Sequence, residues 1–346
     1  MLESPTRRTL LTLPAALAAT KAFAQAPAPS LVEAAKREGE LMIYTASPAS
    51  YIEALAKVFN ARFPGVRMRT YSATAAPLLE RFMADSKRGA VQADLVQTSD
   101  DMMQRLLAEK LIEPYDPASA AVIPPEYRAL SPYALPDRLI ENVVIYNVDM
   151  VTEEEIKLLQ SWDGVVDPRF KGRIAVADPN VVGGWYNGFY MLWKSKGPEW
   201  FTKLAAVKPT IYSSNIPGVE SVISGQHAVG LTIDPYASSY FANKAPIQTA
   251  WPEPTPIWFG YVALAKGAPH SNAAKLFLEW FFSEEGMLTW AKIYQCAVPR
   301  PGISDVRAFA HEPWFTGARQ RFVLKPADLA KEGKLALADW NKAMKG

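Results

Sequence analysis

Three short loops place hydroxyl groups in the same setting. Ser47 follows the apolar run 41–45, Ser72 and Thr74 follow 66–71, and Thr98 and Ser99 follow 93–96; each loop opens a helical pattern. A hydroxyl beside the unpaired N–H groups of a helix start forms a donor set for an anion or another electron-rich group. A second set lies further along the chain. Gly183 and Gly184 permit close backbone approach ahead of Trp185 and Tyr186. Ser213, Ser214 and Asn215 precede a helix with Pro217 in its first turn, and Tyr236 follows the apolar run 228–233. Each residue also has a plainer reading. Ser, Thr and Asn are the favoured helix N-caps, and Trp185, Tyr186, Trp258 and Phe259 equally suit a core or a hinge.

These residues need a scaffold that gathers strand ends. The pattern supplies strands at 41–45, 66–71 and 93–96, with helices at 51–62, 76–87 and 100–109 between and after them. Strands spaced by helices indicate parallel βαβ units, hence an α/β fold. The alternation restarts after 162, with strands at 173–177, 210–212 and 228–233 and helices at 184–196, 199–207 and 219–223. Two such blocks, joined by extended crossings near 134–148 and 250–265, predict two lobes with a central cleft and hinge. Lobe one takes 30–140 and 255–346; lobe two takes 141–254. In open α/β sheets ligands sit beyond the carboxyl ends of the strands, where both sets of candidates lie. The proline-rich stretch 113–137 reads as surface loop.

Other chemistries find little support. The three histidines, His227, His270 and His311, stand apart from any metal-ligand spacing, and His227 and His270 read as surface-loop residues. The sequence contains no G-x-S-x-G elbow, P-loop or helix-opening G-x-G-x-x-G. No catalytic residue, resident cofactor or metal is therefore assigned, although tyrosine and carboxylate oxygens suit a hard cation such as ferric iron.

The N-terminus has the order of a secretory signal over 1–24: Arg7-Arg8, an apolar run over 10–19, then Ala22-Phe23-Ala24. The stretch "TRRTLL" also fits a twin-arginine signal. Cleavage after Ala24 would remove Glu3, Arg7, Arg8 and Lys21, taking the formal charge from +2 to 0. A neutral mature chain speaks against nucleic acid as partner. Cys296 is the sole cysteine, so neither an internal disulfide nor a lipid-anchoring cysteine at the cleavage site is expected. The expectation is a periplasmic monomer without a membrane anchor.

The stretches "YTASPASYIEALAKVFNARFPGVRMR", "LLERFMADSKRGAVQADLV", "SWDGVVDPRFKGRIAVADP", "VISGQHAVGL" and "GAPHSNAAKLFLEWFFSEEG" together resemble the extracellular solute-binding proteins of ABC importers, with the ferric-iron-binding branch the most similar. The resemblance runs in order over nearly all of 31–300. It implies a type II periplasmic binding fold that closes on a ligand and delivers it to a membrane permease with its ATPase. Iron-binding members carry two adjacent tyrosines after the strand that is here 228–233, often with a first-loop histidine. Tyr236 matches the first tyrosine, but Ala237 follows it, Tyr240 comes four residues later, and Pro48 stands near the histidine position. With the hydroxyl loops, these departures favour a small organic anion over ferric iron. A periplasmic enzyme or a sensor subunit on the same plan is the alternative from another class.

Overall fold

The computed structural model describes residues 27–181, 183–317 and 320–345. The expected signal over 1–24 lies outside them. The first block runs α1 (Pro29–Glu38), β1 (Glu40–Thr45), α2 (Ala49–Arg62), β2 (Arg67–Ser72), α3 (Ala75–Lys87), β3 (Leu95–Ser99), α4 (Asp100–Ala108) and the short β4 (Ile112–Glu113). A long strand, β5 (Ala134–Asn147), then crosses to the second block. That block holds α5 (Glu153–Leu158), α6 (Trp162–Val165), β6 (Ile174–Ala177), α7 (Gly183–Lys196), α8 (Glu199–Ala206), β7 (Thr210–Tyr212), α9 (Asn215–Ile223), β8 (Val229–Ile233), α10 (Asp234–Ala242) and β9 (Ile247–Ala250). The chain crosses back through β10 (Thr255–Ala265) and ends with α11 (Ser271–Phe281), α12 (Glu284–Tyr294), β11 (Arg321–Val323) and α13 (Pro326–Lys345).

The main strand order is β2-β1-β3-β10-β5-β8-β6-β7. Within each block the pairing is parallel, β1 with β2 and β3, and β6 with β7 and β8. The crossing strands are antiparallel to each other and to their neighbours β3 and β8. All fourteen residues of β5 are buried, as expected for a strand with covered faces. Its start falls inside the proline-rich stretch read from sequence as loop.

Helices cover both faces of each half. In the first, Leu41, Ile43, Phe59, Trp280 and Trp290 pack on one face, and Tyr44, Leu78, Phe82 and Val96 on the other. In the second, Trp162, Phe189, Phe201 and Trp340 fill one side, and Val143, Val219, Val222 and Trp251 the other. Burying each large apolar side chain contributes roughly 1.5–3 kcal/mol.

The sequence extends lobe one to residue 346, but the structure sends the chain back earlier. Phe309 and Phe315 pack on Trp251, and Trp340 of α13 meets Phe189 and Phe201. An amphipathic pattern shows that a helix has an apolar face without showing which core receives it. His227 also departs from expectation. It is buried, with Nδ1 3.1 Å from Ser221 Oγ and Nε2 2.9 Å from Thr210 Oγ1, and burial lowers its pKa. His270 instead holds Asp94 at 3.0 Å.

Candidate functional site

The sheet register locates the meeting point of the two halves. Ser99, at the end of β3, pairs with Gly260, which pairs with Arg138 on β5. Ile233, at the end of β8, pairs with Asn142 on the same strand. The two strand ends therefore reach one crossing strand four residues apart, roughly 13 Å at the rise of a β-strand. Residues 138–142 form the floor between them.

The floor is polar despite its burial. Arg138 Nη1 donates to Asp137 Oδ1 and Oδ2 at 2.8 and 2.6 Å, and its guanidinium lies 4.8 Å from the Tyr294 ring centre. Burial pushes the Asp137 carboxyl up, opposed by Arg138. Gln97 Nε2 donates to Asp137 as well. Gly260 is required here: a Cβ would stand 2.3 Å from Arg138 Cζ and 2.4 Å from Asp137 Oδ1. Gly188 does the same for α7, where a Cβ would stand 2.1 Å from the Asn142 amide.

The candidate residues divide into occupied and open groups. Ser47 is buried, with Oγ 3.1 Å from Gln97 Oε1, while its N–H donates to Thr45 Oγ1 at 2.9 Å. Ser72 Oγ donates to the Ser47 carbonyl at 2.7 Å. Both hydroxyls hold the first loops in place. Thr74, Ser99 and Ser214 occupy the N-cap positions of α3, α4 and α9, yet none of their side chains caps the helix. Ser99 Oγ instead donates to Asp101 Oδ1 at 2.6 Å. Thr74 and Ser213 are exposed, and Ser214 is half-buried.

Other helix starts behave differently. Thr152, Ser161 and Ser283 each accept a backbone N–H of their own helix. The strand-end starts thus retain donors that ordinary capping would consume. Buried polar atoms without a partner gather in the same region. Among the described residues twelve such side-chain atoms occur, and nine belong to Thr98, Asp100, Arg138, Asn142, Trp185, Asn187, Asn215 and Thr232. Most buried polar groups in folded proteins are paired, so this concentration marks a place for polar atoms from elsewhere.

Aromatic groups flank the gap. Tyr51 of α2 and Tyr294 of α12 lie 5.2 Å apart, ring centre to ring centre. Burial, with Tyr51 adding, raises the Tyr236 phenol above its ordinary value; burial pushes Tyr294 up to about 12. On the opposite flank burial and the Asp101 charge raise Tyr186. Asp100 is pushed up to about 7 by burial, with Asp101 adding. Trp185 belongs to the core, as does Trp258, whose indole donates to Asn142 Oδ1 at 3.1 Å. Phe259, on β10, packs in the core of the first half. Gly184 lies in the first turn of α7. Tyr240 donates to Glu220 at 3.0 Å. A depression of about 250 Å³ is lined by Gln160, Trp251, Glu253, Thr316 and Gly317, none of them a strand-end candidate.

The description "bacterial extracellular solute-binding protein" belongs to a family whose model matches residues 92–314. The chain belongs to this family. Among curated proteins, an uncharacterized protein of Haemophilus influenzae is 33% identical to this solute-binding protein over 138 residues, 37% of the chain and 39% of that protein's length. Among solved structures, iron-bound HitA from Pseudomonas aeruginosa is similar with a TM-score of 0.74 at 21% identity, covering 88% of this chain and 99% of that one. The substrate-binding protein of an ABC transporter from Agrobacterium tumefaciens gives 0.73 at 18% identity over 90% and 97% of the two chains. AfuA from Actinobacillus pleuropneumoniae, with fructose-6-phosphate bound, gives 0.65 at 22% identity over 89% and 99%. These likenesses establish the two-lobed α/β fold of the periplasmic binding proteins. No described helix of this solute-binding protein is long and apolar enough to cross a membrane.

Sequence reasoning placed Asp100 in the third loop, Thr98-Ser99-Asp100, but did not single out Tyr51, Gln97, Arg138, Asn142, Asn187 or Tyr294. One signal was available: Asp137-Arg138 interrupts the apolar context of "ALPDRLIENVVIYN", and a charged pair in a buried strand calls for a specific partner.

Proposed function

We propose that this chain is the periplasmic ligand-binding component of an ABC importer, taking a small organic anion between its lobes and passing it to a permease driven by an ATPase. The N-terminal signal exports it, and it works as an unanchored monomer that binds without chemical turnover. The observation that carries this reading is the set of uncapped helix starts at Thr74, Ser99 and Ser214, distributed over both halves. Their N–H groups offer a carboxylate or phosphonate the positive ends of helix dipoles. Arg138, whose charge is balanced by Asp137, offers its unpartnered Nε–H at the floor, and Tyr186 and Tyr236 provide aromatic walls. Ligand contacts on both lobes favour the closed arrangement, because only differential affinity shifts an equilibrium.

A second reading is ferric cargo, favoured by the grouping of Tyr51, Tyr236 and Tyr294, whose phenols would supply hard oxygen donors. The Tyr236 and Tyr294 phenols stand above the ordinary phenolic value, which opposes their deprotonation without the ion, and Tyr240 is engaged with Glu220. Native mass spectrometry of the purified protein, followed by thermal-shift screening of organic acids and ferric salts, separates the two. A ligand at a hundred times its Kd adds about 2.7 kcal/mol of stability. Stabilisation by an organic anion supports the first reading; ferric stabilisation abolished by Tyr236→Phe supports the second. Chemical conversion of the bound compound would indicate an enzyme, and neighbouring genes for a signalling receptor without a permease would indicate a sensor.

A further inference from the structure

A buried ionic knot lies behind the cleft. Arg307 is 3% exposed. Its Nη1 donates to Glu141 Oε2 at 2.7 Å and to Asp234 Oδ2 at 2.8 Å, and its Nη2 donates to Asp305 Oδ2 at 2.7 Å. Arg321 Nη2 reaches the other Glu141 oxygen at 3.1 Å, Trp251 Nε1 donates to Glu141 Oε2 at 2.8 Å, and the Glu141 N–H donates to Asp234 Oδ1 at 2.8 Å. Glu141 belongs to the crossing strand, and Asp234 is the first residue of α10, two before Tyr236.

The next residue of this segment, a strap over 305–308, extends the connection. The Ala308 N–H donates to Ser238 Oγ on α10 at 2.8 Å and to Gln295 Oε1 at 3.1 Å, and Ser238 Oγ donates to the same Gln295 oxygen at 2.9 Å. Gln295 directly follows Tyr294. Residues 305–308 therefore grip the floor strand, the helix that carries Tyr236 and the chain beside Tyr294. An apolar core would hold α10 less specifically, because a guanidinium fork fixes direction as well as distance. Burying the Glu141 and Asp234 carboxylates around one guanidinium is costly, which a role in placement would explain.

We propose that Arg307 is a positioning residue for the cleft: by joining Glu141 to Asp234 it sets where Tyr236 stands against Tyr51 and Tyr294. The inference rests on the reading of the cleft as the ligand site, but its test needs no ligand. In the full chain, hydrogen exchange and the ring-to-ring NMR contacts of Tyr236 with Tyr51 and Tyr294, followed with ring-labelled tyrosine and assigned with Tyr236→Phe, are compared for wild type, Arg307→Met and Arg307→Lys. We expect Arg307→Met to speed amide exchange in 234–242 at least about tenfold, with β1 and α2 unchanged. The Tyr236 ring contacts should weaken or disappear, and Arg307→Lys should lie between. Exchange in 234–242 that rises only in step with the whole chain, or unmoved Tyr236 ring contacts, would reduce Arg307 to a structural residue and overturn the proposal. If Arg307→Met does not fold, Ser238→Ala tests the same strap. The same local pattern at smaller amplitude supports the proposal; no change in either readout overturns it. Since both readouts are ligand-free, a failed ligand screen would count against the importer reading alone.

Discussion

Helix starts at the cleft and helix starts elsewhere use the same residue types in opposite ways. Thr152, Ser161 and Ser283 turn their hydroxyls onto their own helices. Thr74, Ser99 and Ser214 do not. Residue type alone predicts capping at all six. On the proposed reading, the strand-end helices keep their starts for a partner outside the chain, and the two sets should respond oppositely to mutation.

The largest effect should come from the floor shared by the two halves. Arg138→Met strands the buried Asp137 carboxylate and should cost about 3–5 kcal/mol, read from the urea midpoint. A loss below about 1 kcal/mol would mean that the floor relaxes or hydrates, as an intact floor should not.

Asn187 offers a sharper contrast, because neither of its amide atoms has a partner. Asn187→Ala should weaken ligand binding about 10- to 100-fold while leaving ligand-free stability within about 1 kcal/mol of wild type. Calorimetric titration and thermal unfolding read the two arms. A large stability loss with intact binding would break the comparison.

The caps should follow the same division at smaller amplitude. Thr152→Ala should destabilise by about 1 kcal/mol, whereas Ser214→Ala should cost no more than a few tenths of that. Equal losses in chemical denaturation would show that the strand-end hydroxyls act as ordinary caps.

A separate effect concerns pH. The Asp100 carboxyl holds its proton up to about 7 against an ordinary value of 3.8, chiefly through burial. The folded state therefore binds that proton more tightly than the unfolded chain. Its contribution to stability is fully present below about 4 and is lost as pH rises toward 7. Asp100→Asn should flatten this part of the stability–pH curve; an unchanged slope would assign it to other groups.

The alternation of strands and helices made most of this architecture legible, because local periodicity and turn residues are written in adjacent positions. The hydroxyl loops at 47, 72–74 and 98–99 do stand at strand ends. What sequence concealed depends on distant partners. Ser47 and Ser72 are occupied through Gln97 and through each other, and no local pattern distinguishes them from the open Thr74. Asp234 finds its countercharge 73 positions away in Arg307. The extended crossing read near 134–148 is β5, although the prolines and charges at its start also read as loop and only burial by both halves decides for strand. Trp340 joined the second half because a helical stripe does not name its partner.

The account rests on ligand contact by both halves at the open helix starts. Hydrogen exchange with and without the compound identified by native mass spectrometry tests this directly. The account predicts slowed exchange at the heads of α3 or α4 together with α7 or α9. Protection confined to one half, or centred on the depression beside Gln160 and Trp251, would contradict it.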